Sequence, residues 1–596
     1  MPVSVGSGDV KRSVDSVSQP IVDPTAPDTS NYHISPIFNA AGVELCRSRG
    51  HDCGKVVFAD GRPSKSHRKD FRNAQDEGAL AGLRRCVTAV GQCPILLIHG
   101  HALYLMLSKF VSERPDVQRK ALDALGRKTD NPDSLGPQHD ELQSVRLRLA
   151  TLWKASSIRS ISENDCSTSV RGHLIQAWAT MAEDPGSDAA RWLIEGAPGG
   201  VTCFPNVDSI SPVVQNQDAA SFPPELLETD FDQFHNYNGL EEDDEAFAQI
   251  ERFADKDHQY LLKFGTLQEC REYLGADPVL SRFGVIERVR AGKLKRRVIL
   301  DLKQSMVTHA TRKTHRVVLP RLLDVATEGL ELYEDLHSSW LSDPAEHVDS
   351  SEVVEQVVLD FVDAYWQIPL ARCERRYFVG KLRGFFYVFL RSAQGSRNGG
   401  LAWAGVISIV LRMTQAMFWL RGTKPVRLNT YIDDPLISLR GDKATRDLHI
   451  AMIVILWRAL GFPLSFDKAK RGVKVPWIGG NCEVTPHEVT LSIDSERVQE
   501  LLDLTESYMR LNVISLKQLR SYAGKVSSFA SVVYYLRPFL SCIWAVLCSD
   551  GSSNAPSNCA WVKQFLHALK WIRAFLCQTH GPLVRTISRD VRASLC

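Results

Sequence analysis

The sequence predicts an α+β fold, with helices packed on an antiparallel sheet, a mainly helical region before it and another after it. Three observations carry this. Between residues 352 and 462 the patterns run strand, hairpin, helix, hairpin, helix. Before 220, "DELQSVRLRLATLWKAS" (140–156) and "RGHLIQAWATMAED" (171–184) have helical periodicity. After 490, Val498, Leu501, Leu502, Thr505 and Tyr508/Met509 form an apolar stripe. With 596 residues, 44% of them hydrophobic and 23% charged, the chain can build several cores.

Taken in order, residues 1–35 are rich in Ser, Pro, Asp and Val without periodicity and read as a disordered tail. Residues 36–221 mix short helices with polar loops and carry no clear chemistry. Cys46 and Cys53 with His51, and Cys86 and Cys93 with His99 and His101, are spaced more loosely than usual zinc ligands and read as free thiols. Residues 222–274, rich in acids, read as a linker or surface helix. "EVVEQVVLDFVDAYWQIPL" (352–370) is a buried-strand pattern, "YFVGKLRGFFYVFLR" (377–391) a hairpin around Arg383-Gly384, and "LAWAGVISIVLRMTQAMFWL" (401–420) a helix. "VRLNTYIDDPLISL" (426–439) reads as strand, tight turn, strand, and "DLHIAMIVILWRALGF" (447–462) as a helix ended by Gly461 and Pro463. Ser515 and Gln518 form a capping-box pattern before a further helix. Residues 491–548 form one helical region and 549–596 a helical tail.

The net charge of +2 names no partner. Its distribution is more informative: the acidic segment precedes a basic block, Arg288, Arg290, Lys293, Lys295, Arg296, Arg297, Lys303, Arg312, Lys313, Arg316 and Arg321. Such a block fits a phosphate-binding face, although on charge alone a solvated surface is commoner. The 14 scattered cysteines read as reduced thiols in cytoplasm or nucleus, and the N-terminus has no signal-peptide core. The apolar runs at 94–110 and 404–420 are broken by His or Arg and read as buried helices, with no membrane partner.

The chemistry concentrates in carboxylates. Asp433 and Asp434 sit at a hairpin tip, where a plain turn would more often carry Asn-Gly or Asp-Gly. Asp360 ends the strand "VVLD", with Asp363 three residues on. If the two strands are neighbours, Asp360 and Asp433 converge. Crowded carboxylates repel and call for cations between them. Hard oxygen ligands suit Mg²⁺, and two such ions form a site for nucleotidyl transfer.

In this light the chain resembles the reverse transcriptases, RNA-directed DNA polymerases of retroelements. "LDFVDAYWQIPL" resembles their motif A, "SAQGSRNGG" (392–400) motif B, "YIDD" (431–434) motif C, "GFPLSFDKAKRG" (461–472) motif D and "VPWIGGNCEV" (475–484) the primer grip. "KRRVILDLKQS" resembles the fingers motif that precedes motif A. All stand in the family's order; the likeness covers about 275–490 well and the helices to 548 more loosely. "SLKQLRSYAGKVSSF" (515–529) is similar to the connection of DIRS-type retrotransposons and to polymerases of protist retroelements.

The resemblance implies a right-hand fold, with fingers and palm at 275–490 and thumb or connection at 491–548. It implies two Mg²⁺ ions, with Mn²⁺ as a substitute, held by Asp360, Asp433, the supporting Asp434 and the carbonyl of Phe361. Lys468 is then the general acid, with Lys470 and Arg471 as competitors. Asp363 and Ala364 lie near the triphosphate. Tyr365 is a steric gate against a ribose 2′-OH. Arg297, with Arg288, Arg290 or Lys293, binds phosphate. Gln394 and Gly395 pack on the incoming dNTP, and Trp477, Ile478, Gly479 and Gly480 form the primer grip. The partners are an RNA template, a DNA primer and dNTPs, with a ribonuclease H or recombinase/integrase region encoded elsewhere in the element. Core packing is the plainer reading of Tyr365-Trp366 and of Trp477.

The sequence departs from the family in places. Pro435 lacks an N–H, so its strand either loses a ladder bond or lies at an edge. Asn398-Gly399-Gly400 loosens the start of the following helix. An acidic stretch before motif A suggests an insertion. No ribonuclease H carboxylate set, integrase zinc motif or protease motif follows residue 548, and the chain reads as a fragment of a larger element. An RNA-dependent RNA polymerase is a second reading, against which Tyr431 and Tyr365 stand. A catalytically dead nucleic-acid-binding relic is a third, against which the intact Asp360, Asp433, Asp434, Arg297 and Lys468 stand.

Overall fold

The structure, a computed structural model, describes residues 94–129, 134–158, 168–207, 211–218, 222–290, 293–337, 353–392, 395–419, 425–485, 488–549, 555–577 and 583–588. The expected N-terminal tail, the Cys46, Cys53, His51, Cys86 and Cys93 group and Gln394 lie outside the described residues. The elements in chain order begin with five helices, α1 (Pro94–Glu113), α2 (Pro115–Asp123), α3 (His139–Trp153), α4 (Gly172–Met181) and α5 (Ser187–Glu195). Then come β1 (Val213–Asp218), α6 (Asp244–Ala254), β2 (Leu261–Phe264), α7 (Leu267–Leu274), β3 (Leu280–Arg290), β4 (Lys293–Asp301), β5 (Lys313–His315) and α8 (Leu322–His337). They are followed by β6 (Val353–Val358), β7 (Val379–Leu382), β8 (Phe385–Phe389), α9 (Gly399–Met417), β9 (Val426–Tyr431), β10 (Asp434–Gly441) and α10 (Lys443–Ala459). Next are β11 (Lys470–Gly472), β12 (Lys474–Trp477), β13 (Gly480–Val484), β14 (Glu488–Ser492), α11 (Ser495–Met509), β15 (Val513–Ser515) and α12 (Leu516–Ala530). The last are α13 (Arg537–Cys548), β16 (Cys559–Trp561), α14 (Leu566–Leu576) and β17 (Val584–Ser588).

Contacts divide the chain into two units: Asp70–Ile493 with Val584–Cys596, and Met1–Lys69 with Asp494–Leu583. The first is a mixed α/β structure. Its central sheet is ordered β11-β6-β10-β9 and is antiparallel throughout. A five-stranded sheet, β2-β8-β7-β3-β4, is antiparallel except for the parallel pair β3–β7. A third sheet is β12-β13-β14-β17, and β1 pairs with β5. The turn between β7 and β8 is Arg383-Gly384 as expected, with both residues at positive φ, the geometry of a type I′ hairpin.

The central sheet is built from β-branched runs such as "VVEQVV" and packs on α9 and α10. Every α9 residue from Leu401 to Met417 is buried, so apolar residues recur all round the helix and its polar ones, Arg412 and Gln415 among them, are buried too. Helices α9 and Ile95–Glu113 are long and apolar enough to cross a membrane by length and composition; 94% of the first window is buried in the fold, but only 33% of the second. Helix α1 is therefore only partly the buried helix that its sequence suggests: Ile98 and Leu105 are exposed.

Helices α1 to α5 share one core with α9, α10 and the central sheet. At α1, a Cβ on Gly100 would lie 2.5 Å from the Ala416 carbonyl carbon, so the two backbones touch directly. Asp184, just after α4, accepts a 2.9 Å bond from Arg412 Nε of α9, and both side chains are fully buried. Arg146 of α3 donates at 2.9 Å to the Ala459 carbonyl, closing the end of α10. Beyond it, Gly461 has φ +90°, and a Cβ there would lie 1.8 Å from the Ser169 carbonyl oxygen; only glycine fits.

The segment 222–274 is no linker. Its helix α6 buries Ala246 and Ile250, β2 adds an edge strand to the five-stranded sheet and Cys270 of α7 is buried. Its acids have local tasks: Asp243 caps α6 through Ala246 N and also binds Arg296.

Among the described residues the second unit is helical, with one small β15–β16 pair. Helices α11, α12, α13 and α14 pack on one another. Ser515 and Gln518 form the expected capping box, with Gln518 N donating to Ser515 Oγ at 3.2 Å. Residues 559–576 are part of this unit: β16 pairs with β15 and α14 packs on α11, so they are not a separate tail.

Candidate active site

Strand β6 runs beside β10, with Leu436 opposite Val358. One step further on, Leu359 N donates to the Pro435 carbonyl at 3.0 Å and Phe361 N to the Asp433 carbonyl at 2.8 Å. These bonds bring Asp360 alongside the β9–β10 turn. Pro435 lies on an interior strand of the sheet and is buried. Of the two expectations for it, the lost ladder bond holds and the edge position does not: Pro435 accepts from Leu359 but cannot return a bond.

The turn itself is Ile432-Asp433, between the paired Tyr431 and Asp434. Ile432 has φ +60°, a conformation that a β-branched residue adopts only under constraint, at a cost of about 1–3 kcal/mol. The constraint is visible. Three consecutive carbonyls of the tip are tied to three separate elements. Trp403 Nε1 of α9 donates to Ile432 O at 2.6 Å, Phe361 N to Asp433 O at 2.8 Å and Trp477 Nε1 of β12 to Asp434 O at 3.0 Å. Trp477 is thus both a core aromatic, at 3% exposure, and a direct support of the acid pair. Trp403 has the same task, which its place on an apolar helix face does not reveal.

Asp360, Asp433 and Asp434 form one cluster. Burial is the first cause of a raised Asp433 pKa, with the Asp360 charge adding to it and Lys468 and Arg297 opposing it. Burial, then the charges of Asp433 and Asp360, push Asp434 up to about 6, and its carboxyl lies within hydrogen-bonding reach of Asp360. Lys468 Nζ stands 2.7 Å from Asp360 Oδ2 with its side chain 55% exposed. The Lys468 ammonium and the Arg297 charge against three carboxylates still leave the cluster short of positive charge. An all-oxygen donor set of this kind, from Asp360, Asp433 and Asp434, fits a hard divalent cation such as Mg²⁺. The peptide of Phe361 lies at the same place, while its ring is buried against Trp403 and Trp457. Ser465 N donates to the Asp360 carbonyl at 2.9 Å, so the motif around Lys468 also fixes Asp360, a link with no sequence signal.

Of the competitors for Lys468, Arg471 is committed elsewhere: it donates to Glu355 Oε1 at 2.6 Å and pairs with Asp447. Lys470 is exposed on β11.

Asp363 is exposed, with φ +51°, and accepts from Tyr260 OH at 3.3 Å. Ala364 is buried, and Tyr365 lies on the following 3₁₀ turn with its pKa raised by burial and the Asp433 charge. A Cβ on Gly400 would lie 3.6 Å from Tyr365 OH, which places the ring at the start of α9. Trp366 is core, stacked on Tyr260 at 5.0 Å. The start of α9 is not loose: Asn398 is buried and donates to the Arg312 carbonyl at 2.9 Å. Gly395 has φ +100° and lies against the Leu300 carbonyl of β4.

Register places Arg288, Lys295 and Arg297 on one face of the β3–β4 hairpin, and all three are exposed. Arg296 lies on the other face and is bound to Asp243, Glu245 and Glu287. The basic block is therefore partly a neutralised ion-pair network and partly an open cationic face. Ile478 and Gly479 form the β12–β13 turn, at φ +40° and +89°, with Gly480 paired to Trp477.

No family model and no curated protein matches the chain. Among solved structures it is similar to a foamy viral protease-reverse transcriptase in several complexes. For a dRH form with double-stranded DNA the TM-score is 0.34 at 16% identity, over 55% of this chain and 47% of that one. With RNA/DNA hybrid the TM-score is 0.35 at 16% identity, over 59% and 38%. With double-stranded DNA it is 0.36 at 14% identity, over 58% and 59%. The chain thus spans between 38% and 59% of the length of those solved chains, and the reading of its site stands on its own geometry.

Proposed function

We propose that the chain is a retroelement RNA-directed DNA polymerase that adds dNTPs to a primer 3′-OH on an RNA template. The observation that carries this is the convergence of Asp360, Asp433 and Asp434 at the ends of two paired strands, with the Lys468 ammonium 2.7 Å from Asp360. In this reading the central sheet with α9 and α10 is the palm, the β3–β4 hairpin belongs to the fingers and residues 491–548 are the thumb or connection. The cytoplasm or nucleus is the proposed compartment.

Asp360 and Asp433, with Asp434 in support and the Phe361 carbonyl, would hold two Mg²⁺ ions. When bound, the ions supply activation of the primer hydroxyl and neutralisation of the leaving pyrophosphate. The chain's own residues do the rest. The three tethered carbonyls keep the acid pair in position before substrate arrives. Arg297 and Arg288 receive triphosphate oxygens, and Gln394 and Gly395 pack on the incoming nucleotide. Tyr365 closes the space beneath the sugar, and Lys468 donates a proton to pyrophosphate. Trp477, Ile478, Gly479 and Gly480 present the primer end.

The test is extension of oligo(dT) on poly(rA) with dTTP or UTP and Mg²⁺, with Asp433→Asn in parallel. Extension by dTTP that the variant loses supports the reading. Extension by UTP replaces it with an RNA polymerase, and salt-sensitive hybrid binding without extension replaces it with a binding relic.

A further inference from the structure

Cys203 and Cys373 bring their sulfur atoms within 2.9 Å across 170 residues of sequence. That is less than about 1 Å beyond an S–S bond of about 2.05 Å. Cys373 is exposed on the 3₁₀ turn Arg372–Tyr377, and Cys203 is half-buried on the loop that follows α5. Glu374 completes a group of three with the spacing of a metal site. Its carboxylate is already engaged, however. It accepts from Val201 N at 3.2 Å, Thr202 N at 2.7 Å, Thr202 Oγ1 at 3.0 Å and Cys203 N at 2.6 Å. Three of these donors converge on Oε1 and one on Oε2, so the carboxylate is committed to the loop at residues 201–203. What it does instead is hold the Cys203 backbone in place beside Cys373, on a rigid, fully buried anchor. Two accessible thiols remain, pre-positioned for each other.

We propose that Cys203 and Cys373 are an oxidisable dithiol that closes reversibly to a disulfide. With oxidised glutathione as oxidant, one cysteine thiolate attacks its disulfide, forms a mixed disulfide and releases one glutathione thiolate. The second cysteine loses its proton and attacks the protein sulfur, releasing the second glutathione. The sum is two cysteine thiols plus one glutathione disulfide giving one protein disulfide plus two glutathione thiols. Burial, with the neighbouring Cys203 and Glu374, pushes the Cys373 thiol up to about 12, so closure is faster in mildly alkaline buffer. The bond ties the loop to the turn that carries Glu374. The same loop meets α9, because Asn398 Nδ2 donates to the Gly199 carbonyl at 3.2 Å. Closure of so long a loop stabilises the fold.

The full chain, Cys203→Ser and Cys373→Ser are treated with oxidised glutathione at pH 8 and digested without reduction. The expected result is a cross-linked peptide containing both cysteines, two hydrogens lighter than its parts. It is accompanied by a Tm rise of roughly 3 °C or more that dithiothreitol reverses and neither Ser variant shows. Separate glutathione adducts on Cys203 and Cys373 without the cross-link would overturn the proposal. So would protection of both thiols from alkylation by Zn²⁺ alone, which would make the group a metal site.

Discussion

Ile432 shows how a single residue sets the geometry of the candidate site. A β-branched residue at φ +60° holds only because its neighbours over-determine it. Trp403→Phe removes one tether at Ile432 O while keeping an aromatic ring. The expected loss is about 1 kcal/mol of stability and roughly tenfold in extension rate, measured by thermal unfolding and single-turnover extension. Tyr365→Val should leave dTTP addition nearly intact and raise UTP use roughly tenfold or more; unchanged UTP discrimination would remove Tyr365 as the gate. The acid pair and Asp360 stood out in the sequence because charge in a strand context is unusual, whereas Lys468 was named only through the family resemblance. Trp403 and Ser465 were not, since a core aromatic and a loop amide have no such signature until the turn is placed in space. Arg471 was legible as a cation but not as one already bound to Glu355.

Elements, rather than residues, explain where sequence reading went astray. Hairpins and helices with strong periodicity lay where the pattern put them, including the Arg383-Gly384 turn, the Gly461 stop and the Ser515–Gln518 box. The acidic stretch at 222–274 looked like a linker because its acids cluster, with Glu241, Glu242, Asp243, Asp244 and Glu245 in one run. Yet Ala246, Ile250, Leu261 and Cys270 suffice to seat it on the sheet, and Asp243 takes Arg296 as partner. Between elements, the buried Arg412–Asp184 pair joins α9 to the segment after α4. Removing one partner strands a buried charge, so Asp184→Ala should cost about 3–5 kcal/mol by denaturant unfolding. Replacing both with apolar residues should cost much less, and equal losses would show that the pair is not the cause.

Across the whole molecule, pH and salt probe different parts. His449 is 3% exposed between Phe418 and Tyr104, and its Nδ1 has no partner. Burial lowers its pKa from 6.5 to about 4. Above pH 6.5 both folded and unfolded chains hold it neutral. As pH falls below 6.5 the unfolded chain gains a proton that the fold refuses, so stability drops until about pH 4. The loss should reach about 2 kcal/mol near pH 5, and His449→Leu should flatten that part of the profile. If the open cationic face of the β3–β4 hairpin meets a nucleic-acid backbone, binding should weaken steeply with salt, and Lys295→Ala should reduce the salt slope by about one. The shared core of α1 to α5 with α9 and α10 was hidden from the sequence, because apolar periodicity says that a face is buried but not against what.

The contact of Gly100 with the Ala416 backbone bears on how such a chain can change over generations. A recombination event that carried off residues 275–490 would inherit every proposed catalytic residue, yet would leave behind the helices on which α9 and α10 rest. Exchange of that segment alone would therefore leave α9 and α10 without the helices that share their core.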